Sequence, residues 1–177
     1  SLVENSFFVE LGDLDGDGFM DFAVATNVAT PGIQFYYGDG TGTAFTVLEE
    51  NPGTALRKLR LADLDGDNDL DILAGEGNPY RPYLNQQEQG SPRVFTAGTD
   101  LTQVGRDYFD IGDIDGDGTV DLAFAGGNGT NNIRYSTNDG TGLLSASVGI
   151  NTSIAYTNAG AMALGDMDND GTLDIVM

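Results

Sequence analysis

The sequence contains four copies of a nine-residue segment in which aspartate recurs at every second position. The copies begin at Asp13, Asp63, Asp113 and Asp166, so their first residues lie 50, 50 and 53 positions apart. A segment that returns at a nearly constant long spacing is typical of proteins built from stacked, similar units. The chain is therefore predicted to be a repeat protein in which each unit carries the same acidic loop.

The alternating aspartates predict a bound cation in each loop. Carboxylates held within a few ångströms of one another repel and raise their own pKa values unless a positive ion lies between them. Ca²⁺ accepts six to eight oxygen ligands in a flexible shell, whereas Mg²⁺ requires a tighter octahedron. Transition metals favour imidazole or thiolate ligands, and the chain has no His and no Cys. We therefore expect Ca²⁺ at about four sites.

The spacing also predicts which atoms bind the ion. By analogy with the EF-hand loop, side chains at loop positions 1, 3, 5 and 9 and the backbone carbonyl at position 7 supply the oxygens. The predicted ligands are Asp13, Asp15, Asp17, Phe19 and Asp21 in loop 1; Asp63, Asp65, Asp67, Asp69 and Asp71 in loop 2; Asp113, Asp115, Asp117, Thr119 and Asp121 in loop 3; and Asp166, Asp168, Asp170, Thr172 and Asp174 in loop 4.

Glycine at position 6 permits the sharp turn, which needs a positive φ. Loop 2 has Asn68 at this position, and loop 4 has Asn169 where the other loops have glycine at position 4. Asparagine is the next most tolerant residue for that conformation. We expect both replacements to be tolerated, with loop 2 the more weakly binding of the two.

The surroundings of the loops exclude a true EF-hand. That motif needs a glutamate at position 12 and a helix on each side, but position 12 is Val24, Ala74, Phe124 or Met177. Short apolar segments rich in β-formers flank the loops instead. The predicted strand pairs are 6–11 with 21–26, 59–62 with 70–74, 108–112 with 120–125, and 161–165 with 173–177.

A second hairpin follows each of the first three loops. Residues 32–45 and 132–143 read as a strand, a glycine-rich turn and a strand, and residues 82–85 and 90–95 fill the same place in the middle repeat. Four antiparallel strands per 40–50 residues are typical of a propeller blade. The prediction is an all-β chain of about three and a half repeats, at 1–52, 53–102, 103–155 and, in part, 156–177.

These motifs resemble the FG-GAP/VCBS repeat family, found in integrin α-chain heads and many secreted bacterial proteins. The resemblance rests on the Asp-x-Asp-Gly-Asp-Gly-x-x-Asp loops, the strands that follow them and the Asn-Asp-Gly-Thr-Gly turn at 138–142. It implies a β-propeller, usually seven-bladed, with Ca²⁺ in the loop joining the first two strands of each blade. Because three and a half blades cannot close a ring, we expect a longer polypeptide, or completion by other copies.

The charge balance restricts the partners. The net charge is −21, with only seven Lys and Arg, so the basic surface needed for nucleic acid is missing. Arg57, Lys58 and Arg60 form the one basic cluster and are expected to cover a strand edge. No apolar stretch is long enough for a membrane helix, and no signal segment opens the chain. Asn128 and Asn151 lie in glycosylation tripeptides.

The leading functional hypothesis is an extracellular, calcium-stabilised module for adhesion, surface binding or structural assembly, with a protein or glycan ligand or other copies as partner. A self-assembling filament or matrix subunit is one alternative. A lectin, or part of a secreted carbohydrate-active enzyme, is another, with sugar-stacking candidates Tyr36, Tyr37, Tyr80, Tyr83, Tyr135 and Tyr156. We expect no catalysis, because Ser-His and Cys-His chemistry is impossible without His. The carboxylates outside the loops, Asp39, Asp100, Asp107, Asp110 and Asp139, form no convincing acid–base pair.

Overall fold

The computed structural model describes residues 6–26, 32–50, 56–75, 79–86, 94–101, 108–125, 133–150 and 161–177, and in these ranges the regular structure is all β. The strands are β1 Ser6–Gly12, β2 Asp21–Thr26, β3 Ile33–Gly38, β4 Phe45–Glu50, β5 Lys58–Ala62, β6 Asp71–Gly75, β7 Tyr80–Asn85, β8 Phe95–Ala97, β9 Tyr108–Gly112, β10 Asp121–Ala125, β11 Ile133–Ser136, β12 Val148–Ile150, β13 Ala163–Gly165 and β14 Asp174–Val176. No helix within those ranges is long and apolar enough to cross a membrane.

The strands form three four-stranded antiparallel sheets and one hairpin. Sheet 1 contains β1–β4, sheet 2 contains β5–β8 and sheet 3 contains β9–β12, each in chain order, while β13 and β14 pair as hairpin 4. Each acidic loop joins the first two strands of its sheet, or the two strands of hairpin 4. The prediction that the loops are long hairpin connections between antiparallel strands is confirmed.

The second strand of each sheet is buried along almost its whole length, as in sheets 2 and 3, where the apolar segments 72–75 and 122–125 follow a buried aspartate. A strand with apolar residues on both faces is stable only when both faces are covered. Small side chains such as Ala23, Ala25, Ala74 and Ala123, all fully buried, let neighbouring sheets approach closely.

The hydrophobic core lies between the sheets rather than within any one of them. One cluster joins sheet 1 to sheet 2, with Ala23 and Phe35 packed beside Leu59 and Ile72. A second cluster joins sheet 2 to sheet 3, and a third joins sheet 3 to hairpin 4 through Met162. Each sheet thus buries one face on the next sheet along the chain, which fixes the positions of the acidic loops at successive sheets.

The second hairpin of sheet 3 differs from the sequence prediction. The predicted strand near residue 143 is wrong: the fourth strand is Val148–Ile150, and Leu144 makes only an isolated bridge to Asn138. The polar residues in between bond differently, since Ser145 N donates to Thr137 O at 2.7 Å. Arg134 Nε donates to Ser147 Oγ at 2.8 Å. These bonds occupy the segment before regular pairing with β11 begins.

Candidate metal centres in the acidic loops

All four loops adopt the same backbone turn, with positive φ at positions 4 and 6. The residues are Gly16, Gly18, Gly66, Asn68, Gly116, Gly118, Asn169 and Gly171. Asn68 has φ of 72° and Asn169 has φ of 62°, within the left-handed region that asparagine tolerates. The prediction that asparagine keeps the glycine conformation in loops 2 and 4 is confirmed.

The first aspartate closes each loop by a bond across it. Its Oδ2 accepts a hydrogen bond from the backbone N–H of position 6, at 2.8–3.0 Å. The four bonds run from Gly18 to Asp13, from Asn68 to Asp63, from Gly118 to Asp113 and from Gly171 to Asp166. One oxygen of this carboxylate therefore holds the turn.

The aspartate at position 5 holds the next part of the turn. Its Oδ1 accepts the backbone N–H of position 7 at 2.8–2.9 Å, from Phe19, Asp69, Thr119 and Thr172 respectively. In loops 3 and 4 the threonine hydroxyl at position 7 donates to the same oxygen at 2.6 Å. These bonds lower the pKa values of Asp117 and Asp170, the hydroxyl contact being the main cause. Both groups therefore favour the charged form that a cation needs.

The aspartate at position 9 connects the loop to the sheet. Its Oδ2 accepts the N–H of position 2 at 2.7–2.9 Å in every loop. In the three sheets its Oδ1 also accepts an N–H from beyond the second strand, at 2.7–2.8 Å. These bonds run from Gly38 to Asp21, from Asn85 to Asp71 and from Asn138 to Asp121. Asp21, Asp71 and Asp121 are fully buried.

The structure brings carboxylate oxygens together in each loop, within 4.8 Å of one another. In loops 2, 3 and 4 these oxygens belong to positions 1, 3 and 9, and in loop 1 to positions 1, 3 and 5. The triads are Asp13, Asp15 and Asp17; Asp63, Asp65 and Asp71; Asp113, Asp115 and Asp121; and Asp166, Asp168 and Asp174. The carbonyls at position 7, in Phe19, Asp69, Thr119 and Thr172, stay predicted ligands.

The pKa values in loop 2 indicate that buried negative charge lacks compensation from the protein. Burial raises the pKa of Asp71 to about 6, despite the backbone donors of Asn85 and Leu64. Burial, followed by the charge of Asp67, raises the pKa of Asp65. Burial also raises the pKa values of Asp21 and Asp121. A nearby cation would favour the charged forms of these groups.

One atom tests whether these residues fit a metal ion. Oδ1 of Asp65, in the middle of the loop 2 triad, is buried and has no hydrogen-bond partner among the residues that the structure describes. A buried carboxylate oxygen without a donor is costly, and a hard cation among oxygen ligands removes that cost. The all-oxygen donor set fits Ca²⁺, which when bound supplies two positive charges to the carboxylates.

The repeated geometry has a counterpart in the comparison with known families. A profile of the FG-GAP-like repeat matches residues 13–74 and 113–177, which include all four loops and more than half of the chain. The chain belongs to the FG-GAP repeat family. No curated protein matches the sequence.

Two asparagines that were not predicted as functional residues connect successive FG-GAP repeats. Asn85 Nδ2 donates to Leu14 O of the preceding loop at 3.1 Å, and Asn138 Nδ2 donates to Leu64 O at 2.7 Å. Each also donates to the carbonyl at position 8 of its own loop, in Leu70 or Val120. The available signal was an asparagine at the end of, or just beyond, the third strand in repeats 2 and 3.

A row of charges across the first strands was likewise not predicted. Arg60 bonds to Glu10 of sheet 1 at 2.6 Å and to Asp110 of sheet 3 at 2.7 Å. Asp110 Oδ2 in turn accepts from Leu164 N at 3.0 Å. Glu10, Arg60 and Asp110 lie 50 residues apart, each three residues before the first aspartate of a loop. This shared position was the signal in the sequence.

The prediction that the basic cluster covers a strand edge is confirmed for Lys58 and Arg60, which lie on β5, the edge strand of sheet 2, and contact β9, the edge strand of sheet 3. Lys58 Nζ donates to Phe109 O and lies 5.7 Å from the ring centre of Phe8 and 4.9 Å from that of Phe109. Phe8 belongs to sheet 1 and Phe109 to sheet 3. Both cations therefore connect three sheets, because β5 lies between β1 and β9.

The predicted sugar-stacking tyrosines are mostly part of the packing. Tyr36, Tyr37, Tyr80 and Tyr83 are all buried, so these four are unavailable to a sugar. Tyr135 is half-buried, while Tyr156, the glycosylation candidates Asn128 and Asn151, and Asp107 lie outside the described residues. Asp39 and Asp139 accept hydrogen bonds from threonines, and Asp100 and Asp110 from arginines.

Proposed function

We propose that this FG-GAP chain is an extracellular module whose four loops bind Ca²⁺ and whose role is adhesion, surface binding or structural assembly. The observation that carries the proposal is the set of three backbone bonds that all four loops share around converging carboxylates, together with a buried Asp65 oxygen that has no hydrogen-bond partner among the described residues. Loops that differ in sequence at positions 2, 7 and 8 share this arrangement. A shared arrangement of acid groups is expected where each must bind the same ion.

The proposed architecture is a set of propeller blades. Three four-stranded antiparallel sheets in chain order, packed face to face, support this arrangement. The first strands β1 and β5 contact each other, as do β9 and β13, which is expected of innermost strands around a common axis. In this arrangement the loops and the Ca²⁺ lie at one end of the blades.

The extracellular location rests on calcium supply and on charge. Loops of this kind fill more readily at the calcium concentrations found outside cells than in the cytosol. The net charge of −21 is compatible with an environment in which divalent cations are abundant. No nucleic acid and no membrane insertion are proposed.

The module is proposed to act by binding rather than by catalysis. Four carboxylates outside the loops, Asp39, Asp100, Asp110 and Asp139, accept hydrogen bonds within the chain, as for Asp100, which accepts two from Arg81. Rigid sheets that present many loops suit a protein or glycan ligand. The burial of four tyrosines weighs against the lectin alternative.

Thermal unfolding with and without a chelator tests the calcium proposal. Since an ion that binds only the folded state stabilises it by mass action, excess chelator at neutral pH is expected to lower Tm sharply. Asp115→Ala removes a predicted ligand and should reduce this calcium-dependent shift. Asp100→Ala removes a carboxylate of a partly exposed ion pair with Arg81, and should keep the full shift. An unchanged Tm in chelator contradicts the proposal.

A further inference from the structure

Each acidic loop places an aliphatic side chain at position 2 against the next sheet, except in hairpin 4. Leu14 is 1% exposed and belongs to the cluster shared with sheet 2, and Leu64 is 3% exposed in the cluster shared with sheet 3. Ile114 packs in the cluster shared with hairpin 4. Met167, at the same position of loop 4, is 70% exposed. Hairpin 4 therefore presents a side chain that the other repeats bury.

The glycine before the loop shows the same difference. The side chain of Leu173 lies 2.6 Å from the place of a Cβ at Gly112, and Leu70 occupies the corresponding place at Gly12. At Gly165 no atom of the described part of the chain lies within 4 Å of that place. The leucine that packs over each of these glycines is at position 8 of the following loop. Position 8 of loop 1 is Met20, which is 58% exposed.

The outward face of sheet 1 matches a face that sheet 2 buries. Val9, Leu11, Phe45 and Val47 are 41–62% exposed. By strand register they correspond to Leu59, Leu61, Phe95 and Ala97 of sheet 2, of which Leu59, Leu61 and Phe95 pack in the cluster shared with sheet 1.

A cavity of about 300 Å³ adjoins this outward face, lined by Phe19, Met20, Gly38, Gly40, Gly42, Phe45 and Gly18. Gly42 corresponds to Gly142 of sheet 3, whose N–H donates to Leu64 O, the position 2 carbonyl of loop 2, at 2.9 Å. Met167 occupies position 2 in loop 4. The donor that corresponds to Gly142 is therefore Gly42 of sheet 1, and the acceptor that corresponds to Leu64 O is the carbonyl of Met167 in loop 4.

The charges at the two ends are also compatible. Position 7 of the loop is Asp69 in sheet 2 but Phe19 in sheet 1, so sheet 1 offers an incoming loop 4 an aromatic ring where sheet 2 has a carboxylate. The uncharged Ala163 corresponds to Arg60 and would lie beside Glu10 without like-charge repulsion.

We propose that a second copy of this chain docks its hairpin 4 on the outward face of sheet 1, head to tail. In this contact, which rests on the assembly role proposed above, Met167 takes the place of Leu14 and Met20 packs over Gly165 as Leu70 packs over Gly12. The two faces differ, so the contact is heterologous and produces a closed ring or an open filament. Bound Ca²⁺ favours it by reducing the repulsion between two acidic chains.

Disulfide trapping tests this contact, because the chain contains no cysteine. The variants Met20→Cys and Gly165→Cys are made separately, and both positions are open in one copy. Mixed in Ca²⁺ under mild oxidation, they should give a covalent heterodimer. The matched control pairs Met20→Cys with Val148→Cys, whose side chain is 51% exposed on β12, and should give no more than a background yield.

A second measurement uses the uncrosslinked protein. Sedimentation velocity should show association that increases with protein concentration, and Met20→Asp should weaken it by about tenfold or more, since a charge at an apolar contact costs at least that much. Circular dichroism checks that both variants stay folded. Equal crosslinking in the control pair overturns the proposal. A monomer at all concentrations, with no heterodimer, also overturns it, and then the outward face of sheet 1 would have to bind another polypeptide.

Failure of this proposal is distinguishable from failure of the calcium proposal. A chain that binds Ca²⁺ and stays monomeric contradicts only the head-to-tail contact. A chain whose Tm ignores the chelator, but whose Met20→Cys and Gly165→Cys variants still crosslink selectively, contradicts only the calcium role.

Discussion

The fourth acidic loop and the first three share one turn but differ in their surroundings. Asp21, Asp71 and Asp121 are fully buried, and each accepts backbone N–H groups from position 2 and from a residue beyond the second strand. Asp174 is partly exposed and, within the described residues, accepts one such bond, from Met167. The loop therefore makes its own turn, whereas the third strand buries the position 9 carboxylate of an otherwise exposed loop.

The largest expected effect is the loss of the position 9 carboxylate within a complete sheet. Asp71→Ala leaves the buried N–H groups of Leu64 and Asn85 without an acceptor, and should destabilise the calcium-bound chain by about 3 kcal/mol or more. Asp174→Ala leaves one N–H near solvent and should cost about 1 kcal/mol beyond the lost ion contact. Urea unfolding in Ca²⁺ measures both.

Because each variant removes one predicted ligand, the difference between them reports the contribution of the third strand. Equal losses of stability in the two variants would contradict this account of the third strand. A larger loss for Asp174→Ala would reverse the comparison.

A smaller loss of stability is expected when Asn138 keeps its backbone bond but loses its side-chain bonds. Asn138→Ala keeps the backbone bond to Asp121 but loses the side-chain bonds to Leu64 O and Val120 O, so it should cost about 1–2 kcal/mol. Asp139→Ala changes the exposed neighbour and serves as the matched control. Denaturant unfolding measures the free energy, and the account fails here if Asn138→Ala is as stable as the control.

The smallest predicted effect concerns Lys58, whose side chain lies between Phe8 of sheet 1 and Phe109 of sheet 3. Hairpin 4 has the exposed Ala161 at the corresponding position. Burial, and then the charge of Arg60, lowers the pKa of Lys58 to about 8. Between pH 8 and the ordinary value of 10.5 the unfolded chain holds the proton and the folded chain does not. Stability should therefore rise with pH in this window, by on the order of 1 kcal/mol.

Lys58→Met removes this titration, so the test is the difference between the two pH profiles of unfolding free energy. Tyrosines that ionise in the same range affect both proteins and cancel. Parallel profiles from pH 8 to 10 would show that Lys58 keeps its proton as readily in the fold as in the unfolded chain.

Much of the fold follows from local patterns in the sequence. The strands around the loops could be predicted because apolar segments such as 122–125 are short and bounded by aspartate and glycine. The turns could be predicted because positions 4 and 6 need positive φ, which glycine and asparagine supply. These features depend on neighbours in the chain.

The contacts between repeats could not be predicted in the same way. Arg60 meets Glu10 and Asp110 only because the first strands of three sheets lie side by side. Asn138 reaches Leu64 O over 74 residues of chain. The start of β12 could not be predicted from the local pattern either. Ser145 and Arg134 form hydrogen bonds outside the regular strand pairing, with residues that precede or border β12.

Counting calcium ions per chain tests the central claim most directly. Isothermal titration of the chelator-treated protein should give four Ca²⁺ per chain, three in the complete sheets and a fourth at Asp166, Asp168 and Asp174, whose greater exposure makes it weaker than loop 2, the reverse of the order expected from Asn68 alone. Asp174→Ala should remove only the weaker event, while Asp71→Ala should remove one of the three. Titration heats no larger than those of buffer, or binding that both variants leave unchanged, would contradict the account.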